Sequence, residues 1–204
     1  MSAAARRVDG MTTITTKAAT PTEWDDVQRA LTGGGDGASC QCVWPLLRNK
    51  DWNATTKEQR VEILRDEITN GPPPGIVAYV DGEAAGWIRI GPRPAQARLA
   101  YTRAIAAATQ EPFEDGSVWA VTCFSVRRDH RGKGLNAALL AAAVEYARDA
   151  GARLVEGYPV DTAAVKVSSN DLFHGPLSTF VGAGFSVVGE LRSGRPLVAL
   201  DLAS

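Results

Sequence analysis

Val126 to Asn136 reads VRRDHRGKGLN. Before it runs VWAVTCFSV, Val118 to Val126, a β-branched and aromatic run that predicts a strand. After it runs LNAALLAAAVEYARDAG, Leu135 to Gly151, a helix-forming run closed by glycine. Between them lie Arg127, Arg128, His130, Arg131 and Lys133, with Gly132 and Gly134. The first N–H groups of a helix have no partner within it and sit at the positive end of its dipole. A glycine-bearing entry lets an anion approach those groups, so the pattern predicts a phosphate site with extra cationic charge beside it. The alternative is a tight strand-to-helix turn in which Gly132 and Gly134 serve the backbone only; the cations favour the anion site.

Two phosphate motifs do not fit. A P-loop needs Gly-x-x-x-x-Gly-Lys-Ser/Thr, and the dinucleotide fingerprint needs a third glycine where Ala137 stands. The chain of 204 residues is long enough for one sizeable α/β domain. Net charge is −1, which gives no general field for nucleic acid. No apolar run reaches the roughly 20 residues of a membrane span, and residues 1–17 carry no apolar signal core. Met11 offers an alternative start, and residues 1–11 are expected to be disordered, leaving 12–204 as one domain. Three cysteines, Cys40, Cys42 and Cys123, suit free thiols in a reducing cytoplasm.

Along the chain, Thr20-Pro21-Thr22-Glu23 has capping-box form and opens a helix with Trp24, Val27 and Leu31 on one face. It ends at Gly33-Gly34-Gly35, before a loop rich in glycine, cysteine and tryptophan. Thr55-Thr56-Lys57-Glu58 predicts a second capping box, with Val61, Leu64 and Ile68 on the following helix. IVAYV and AAGWIRI flank Asp81-Gly82-Glu83, a hairpin signal. Residues 92–116 read as a short helix or a lid. ARLVEGYPV predicts another strand, over 153–160; residues 162–184 a loop and short helix; FSVVGEL and PLVALDL a closing antiparallel pair.

Arg131-Gly132-Lys133-Gly134-Leu135-Asn136 resembles the pyrophosphate-binding motif of the GNAT superfamily of N-acetyltransferases, Gln/Arg-x-x-Gly-x-Gly/Ala, with Asn136 where Gly or Ala is usual. The element order over about residues 12–202 is similar too. The resemblance implies a mixed α/β fold: a central twisted, mostly antiparallel sheet splayed between two parallel strands, with helices on both faces. It implies acetyl-CoA as co-substrate and no metal. Phe124, Ser125 and Val126 are expected beside the pantetheine arm, and Arg131, Gly132, Lys133, Gly134, Leu135 and Asn136 around the pyrophosphate. Gly157, within the second splayed strand, suits close approach of a ligand or another backbone.

Acetylating an amine requires removing a proton from an ammonium of pKa about 10.4, orienting the amine and stabilising an oxyanion. Glu156 and Tyr158 share a face of the 153–160 strand, and Asp161 ends it. Glu156 is either the base or a buried carboxylate paired with an arginine; Asp161 is either a base or a turn cap. The family's Tyr-x-x-x-Gly-Phe reads Phe180-Val181-Gly182-Ala183-Gly184-Phe185 here, so the usual tyrosine acid is missing, and Phe173 replaces the asparagine seven positions before it. Ser178, Thr179, His174 and Tyr158 are the substitutes, or solvent protonates the thiolate. Glu114 and Asp115 line a substrate mouth or are solvated; Trp44 and Trp52 are core or a stacking wall; His130 touches a phosphate or is structural. Cys40-x-Cys42 lacks companions for zinc and reads as thiols in a pocket loop.

These features point to an N-acetyltransferase with a small-molecule amine acceptor. The alanine-rich sequence resembles antibiotic-resistance members of the superfamily, which extends the expectation to an aminoglycoside such as kasugamycin received by Asp36, Glu114, Asp115, Glu156 and Asp161. A protein or peptide N-acetyltransferase and a non-catalytic acyl-CoA sensor are the alternatives. No nucleic acid or membrane partner is expected; the closing strand pair allows a homodimer.

Overall fold

The computed structural model describes residues 6–8, 12–168 and 171–203. Of the expected disordered stretch, Arg6–Val8 form a short strand and the rest lies outside the described residues. Among the described residues, eight strands make one sheet in the order β1-β2-β3-β4-β5-β6-β8-β7. They are β1 Arg6–Val8, β2 Thr12–Ala18, β3 Gly75–Val80, β4 Glu83–Pro92, β5 Val118–Val126, β6 Leu154–Gly157, β7 Ser186–Arg192 and β8 Arg195–Asp201. Every neighbouring pair is antiparallel except β5 and β6.

Helices cover both faces, and the strands show it. In β3, Ile76, Ala78 and Val80 join one apolar cluster, while Val77 and Tyr79 join another. A strand buried on both sides reads as a continuous apolar run, as GIVAYV does. The first face packs on α7, Leu135–Asp149, through Leu139, Leu140, Ala143 and Val144. The second packs on α1, Trp24–Thr32, and α4, Lys57–Asn70, through Val27, Leu31, Leu64 and Ile68. Shorter helices are α2 Gly37–Cys40, α3 Asn49–Ala54, α5 Arg98–Tyr101, α6 Arg103–Ala108 and α8 Leu177–Gly182. The β3–β4 turn has Asp81 and Gly82 at φ 51° and 88°, the two left-handed residues of a type I′ hairpin.

The sheet opens between β5 and β6. Their parallel pairing runs from Val118↔Leu154 to Val121↔Gly157 and stops. β5 continues to Val126 against β4 alone, while the other chain turns off and Val160 bridges Pro176. The expected strand 153–160 is therefore shorter, ending at Gly157. A Cβ at Gly157 would lie 2.3 Å from the Phe180 ring. The close approach is by an aromatic side chain that fills the base of the splay, not by a ligand or backbone.

The two capping boxes form differently from their sequence patterns. Thr20 Oγ1 donates to the Glu23 carboxylate rather than capping a backbone N–H, and Pro21–Glu23 form a 3-10 turn ahead of α1. The second box exists one residue later. Thr56 Oγ1 accepts from Gln59 N at 3.3 Å, and Gln59 Oε1 accepts from Thr56 N at 2.8 Å.

Candidate active site

β5 carries a bulge that sets the site. Arg89 pairs with Cys123 but Ile90 with Val121, so Thr122 is an extra residue in the ladder. The insertion flips the strand's alternation. Val121 and Phe124 face the α7 cluster, whereas Cys123 faces the α1/α4 cluster. Thr122 Oγ1 is anchored at 2.6 Å on Gln96 Oε1, and Gln96 Nε2 donates to the Ala120 carbonyl at 2.9 Å.

From Thr122 to Val126 the strand forms one wall of a cleft of about 700 Å³. Arg131, Gly132, Gly134, Leu135 and Asn136 continue that wall at the entrance to α7. The facing wall comes from Gly34–Gly37, Cys40, Cys42, Trp44, Pro45 and Trp52, with Leu172 and Phe173 closing the end. The glycines bring this wall in. A Cβ on Gly37 would lie 2.4 Å from the Leu31 carbonyl oxygen, and one on Gly33 2.1 Å from the Arg127 side chain.

The α7 entrance leaves its first backbone amides without protein acceptors. Gly132 and Gly134 have φ of 75° and 77°, a conformation glycine takes without strain. Among the described residues, no protein acceptor meets the backbone N–H of residues 132–136; the hydrogen bonds resume with Ala137 N to Gly134 O. Asn136 Oδ1 is buried without a partner, so its side-chain amide is uncommitted. Its two ends are interchangeable by rotation, and the N–H end suits a phosphate oxygen. Arg131 is exposed at the rim; Lys133 stays outside the cleft wall, its Nζ 3.4 Å from His130 Nδ1. His130 lines the cleft but is 7% exposed, with Nε2 3.7 Å from Asp129 and 3.8 Å from Glu83. Arg127 is held by Asp129 at 3.1 Å.

The strand that parts from its parallel neighbour, bulges, and feeds a glycine-lined helix entrance lies within the stretch that a family model matches. The model of the Acetyltransferase (GNAT) family matches residues 44–167, more than half of the chain. The chain belongs to the GNAT acetyltransferase family. GNAT enzymes draw the acetyl group from acetyl-CoA, and the open amides at residues 132–136 fit its diphosphate. The fold is similar to that of the GNAT domain of PAT from S. lividans, at 18% identity over 98% of this chain and 96% of that one, TM-score 0.58. It is similar to a GNAT-family acetyltransferase from Listeria monocytogenes, at 13% identity over 97% and 99%, TM-score 0.56. The PaiA N-acetyltransferase of Thermoplasma acidophilum, solved with coenzyme A, is 12% identical over 92% and 98%, TM-score 0.52. No curated protein sequence matches the chain.

The GNAT cleft does not gather the carboxylates expected from sequence. Glu156 is 1% exposed and away from the cleft. Arg93 Nη1 reaches both its oxygens at 2.9 Å, Thr109 Oγ1 donates at 2.7 Å and Tyr158 OH at 3.0 Å. It is the buried, arginine-paired carboxylate of the two alternatives. Tyr158 is 1% exposed, its phenol raised well above the usual value by burial and by Glu156, so it neither lines the cleft nor gives up a proton. Asp161 accepts from Ala163 N at 2.9 Å and caps a turn. Asp115 caps Ser117 and pairs with Arg153 at 2.7 Å; the Ser117 and Arg153 hydrogen bonds bring its carboxyl down to about 2. Glu114 is exposed outside the cleft. Ser178 is exposed on α8, also outside it. His174 is packed behind Phe173, ring centroids 4.0 Å apart. Burial, then the Arg195 charge, pulls its imidazole down to about 3, and it is neutral at any working pH.

Trp44 lines the cleft with Trp52, edge to face at 4.8 Å. Arg98 covers Trp44 at 3.4 Å and Arg60 covers Trp52 at 3.5 Å, fixing both rings. Phe180 is fully buried between Phe124 and Phe185, at 5.9 and 5.2 Å. Sequence reasoning missed Leu172 and Phe173 as cleft residues and Arg93 as the partner of Glu156. The run Gly33-Gly34-Gly35-x-Gly37 was the signal for a wall packed onto β5. Among the described residues no cluster suits a metal ion, and no helix is long and apolar enough to cross a membrane.

Proposed function

We propose that this GNAT enzyme acetylates a primary amine of a small molecule that carries an aromatic or otherwise apolar body. The observation behind it is the facing wall: Trp44, Pro45, Trp52, Cys42 and Phe173 line it, and Asp36 is the one carboxylate among the described lining residues. Rigid aromatic rings bury apolar area at low entropy cost. A single exposed carboxylate attracts one ammonium group. A polycationic aminoglycoside needs several, and Glu114, Asp115, Glu156 and Asp161 lie elsewhere, so the small-amine part of the expectation is kept and the aminoglycoside part loses its support.

Bound at the cleft, acetyl-CoA supplies an activated acetyl thioester. Gly132 to Asn136 hold its diphosphate by backbone N–H, and Arg131 adds charge. The edge of β5 from Thr122 to Val126, which β6 leaves unpaired, offers backbone groups to the pantetheine amides, as an added strand would. The aromatic wall orients the acceptor and excludes water, and Asp36 draws the ammonium in and accepts its proton through water. No side chain serves as acid. A thiolate with an intrinsic pKa of about 8.5 leaves without one and is protonated by solvent.

The test is thiol release with a panel of arylalkyl monoamines, spermidine, aminoglycosides and peptides. Arylalkyl monoamines are expected to show the highest kcat/KM, and Trp44→Ala to lower it about tenfold or more, chiefly through KM. A tenfold preference for aminoglycosides or peptides overturns the assignment; no turnover of any amine, with coenzyme A still bound, favours a sensor.

A further inference from the structure

We infer that Cys42 and Cys123 form a reversible dithiol–disulfide couple in the wall of the cleft. Their Sγ atoms lie 2.6 Å apart although the residues are 81 positions apart in sequence. Both are free thiols. A disulfide of about 2.05 Å requires the sulfurs to close by only about 0.5 Å.

Two backbone features bring them together. Gln41 and Cys42 have φ of 51° and 50°, two consecutive non-glycine residues in the left-handed region. Such strain persists only where the surroundings fix it. Here Gln41 is 1% exposed, accepts from Gln28 Nε2 at 2.8 Å and donates to the Ala38 carbonyl at 3.2 Å. The second feature is the bulge at Thr122. Without the extra residue, Cys123 would share the face of Val121; with it, Cys123 meets Cys42 in the α1/α4 cluster.

Both cysteines line the cleft, Cys123 at 7% exposure and Cys42 at 1%, so a small oxidant entering the cleft meets Cys123 first and Cys42 closes the bond behind it. The oxidant is a low-molecular-weight disulfide. One cysteine thiolate attacks it and releases one small thiol, leaving a mixed disulfide; the second cysteine displaces the other small thiol. The protein loses two thiol protons and two electrons, and the oxidant becomes two thiols. Burial first, then Cys123, raises the Cys42 thiol, which slows exchange, so the couple is read at equilibrium. Cys40, pushed up to about 11 mainly by burial, has no sulfur partner at bonding reach among the described residues. The new bond fastens the segment between α2 and α3 to β5 beside the splay.

The full chain is equilibrated in glutathione buffers of rising oxidised-to-reduced ratio, acid-quenched, alkylated after denaturation and mapped. Two thiols are expected to vanish together, with a mass loss of about 2 Da, a Cys42–Cys123 peptide and one alkylated Cys40. The linked protein is expected to melt roughly 5 °C or more above the reduced one, because the bond closes a long loop. Cys40→Ser retains both effects; Cys42→Ser and Cys123→Ser lose both. Three alkylatable thiols at the most oxidising ratio, a stable glutathione adduct without the link, a link through Cys40, or an unchanged melting point overturns the inference. None of these readouts depends on turnover.

Discussion

Arg93 and Glu156 are both under 2% exposed and bonded to each other, which places a whole ion pair inside the protein. Such a pair adds little net stability when intact, but removing one charge strands the other. Glu156→Gln keeps the shape and leaves the Arg93 guanidinium unneutralised. The expected cost is about 3 kcal/mol, seen as a fall of roughly 6–12 °C in melting temperature, with kcat of the folded enzyme unchanged. A fall in kcat with stability intact would return Glu156 to the chemistry. His174 makes a different prediction. Its folded value near 3 lies below the unfolded value of about 6.5, so between them the unfolded chain binds one more proton. Stability is full above pH 6.5 and falls as pH drops toward 3, by up to about 1.4 kcal/mol per pH unit from this group. His174→Gln should flatten that part of the stability–pH curve measured by urea unfolding between pH 7 and pH 4. An unaltered slope would show that other groups carry the acid sensitivity.

The element to which the proposed function gives most of the binding is short: the turn from Arg131 to Gly134 and the first turn of α7. On that proposal it works by amides, so side-chain deletion tests only part of it. Gly134→Ala forces a Cβ into a left-handed residue, φ 77°, with nothing within 4 Å for it to strike. The cost of roughly 1–2 kcal/mol is conformational and is relieved when the turn shifts away from its amide-presenting shape. The expected result is a coenzyme A Kd raised about tenfold with little change in melting temperature of the free protein, measured by calorimetry. Arg131→Ala should raise Kd by a similar factor, and its effect alone should fade as salt rises. Equal salt dependence in both variants would mean that the turn acts through charge rather than through backbone geometry. This element was also the most legible in sequence. Glycine spacing and an alanine-rich helix are local signals, and they sufficed for the turn and the start of α7. The capping boxes show the limit: Thr55 and Thr56 carry the same chemistry, and which of them caps α4 is settled by where Gln59 can reach back.

At the scale of the molecule, the strands and helices themselves followed from periodicity, a near-neighbour property, and the splay from the family resemblance that residues 131–136 carry. The active cleft did not. Asp115, Glu156 and Asp161 were attractive as carboxylates on or near the right strands, but each is consumed by a partner distant or local, Arg153, Arg93 or the Ala163 amide. Nothing in linear order says that Arg93 crosses 63 positions to meet Glu156, or that Cys42 meets Cys123. The cleft's two walls likewise come from residues 34–52 and 122–136, joined only by folding. A ligand lying along both walls therefore stabilises the whole fold, by an amount set by affinity and concentration. Coenzyme A at about 100 times its Kd should contribute about 2.7 kcal/mol, a rise of roughly 5–10 °C in melting temperature. Pantetheine, which lacks the diphosphate, meets only the Thr122–Val126 edge and should give less than a third of that rise at the same concentration. If pantetheine matched coenzyme A, the amides at the α7 entrance would contribute nothing to binding, and the site would have to be sought along β5 alone.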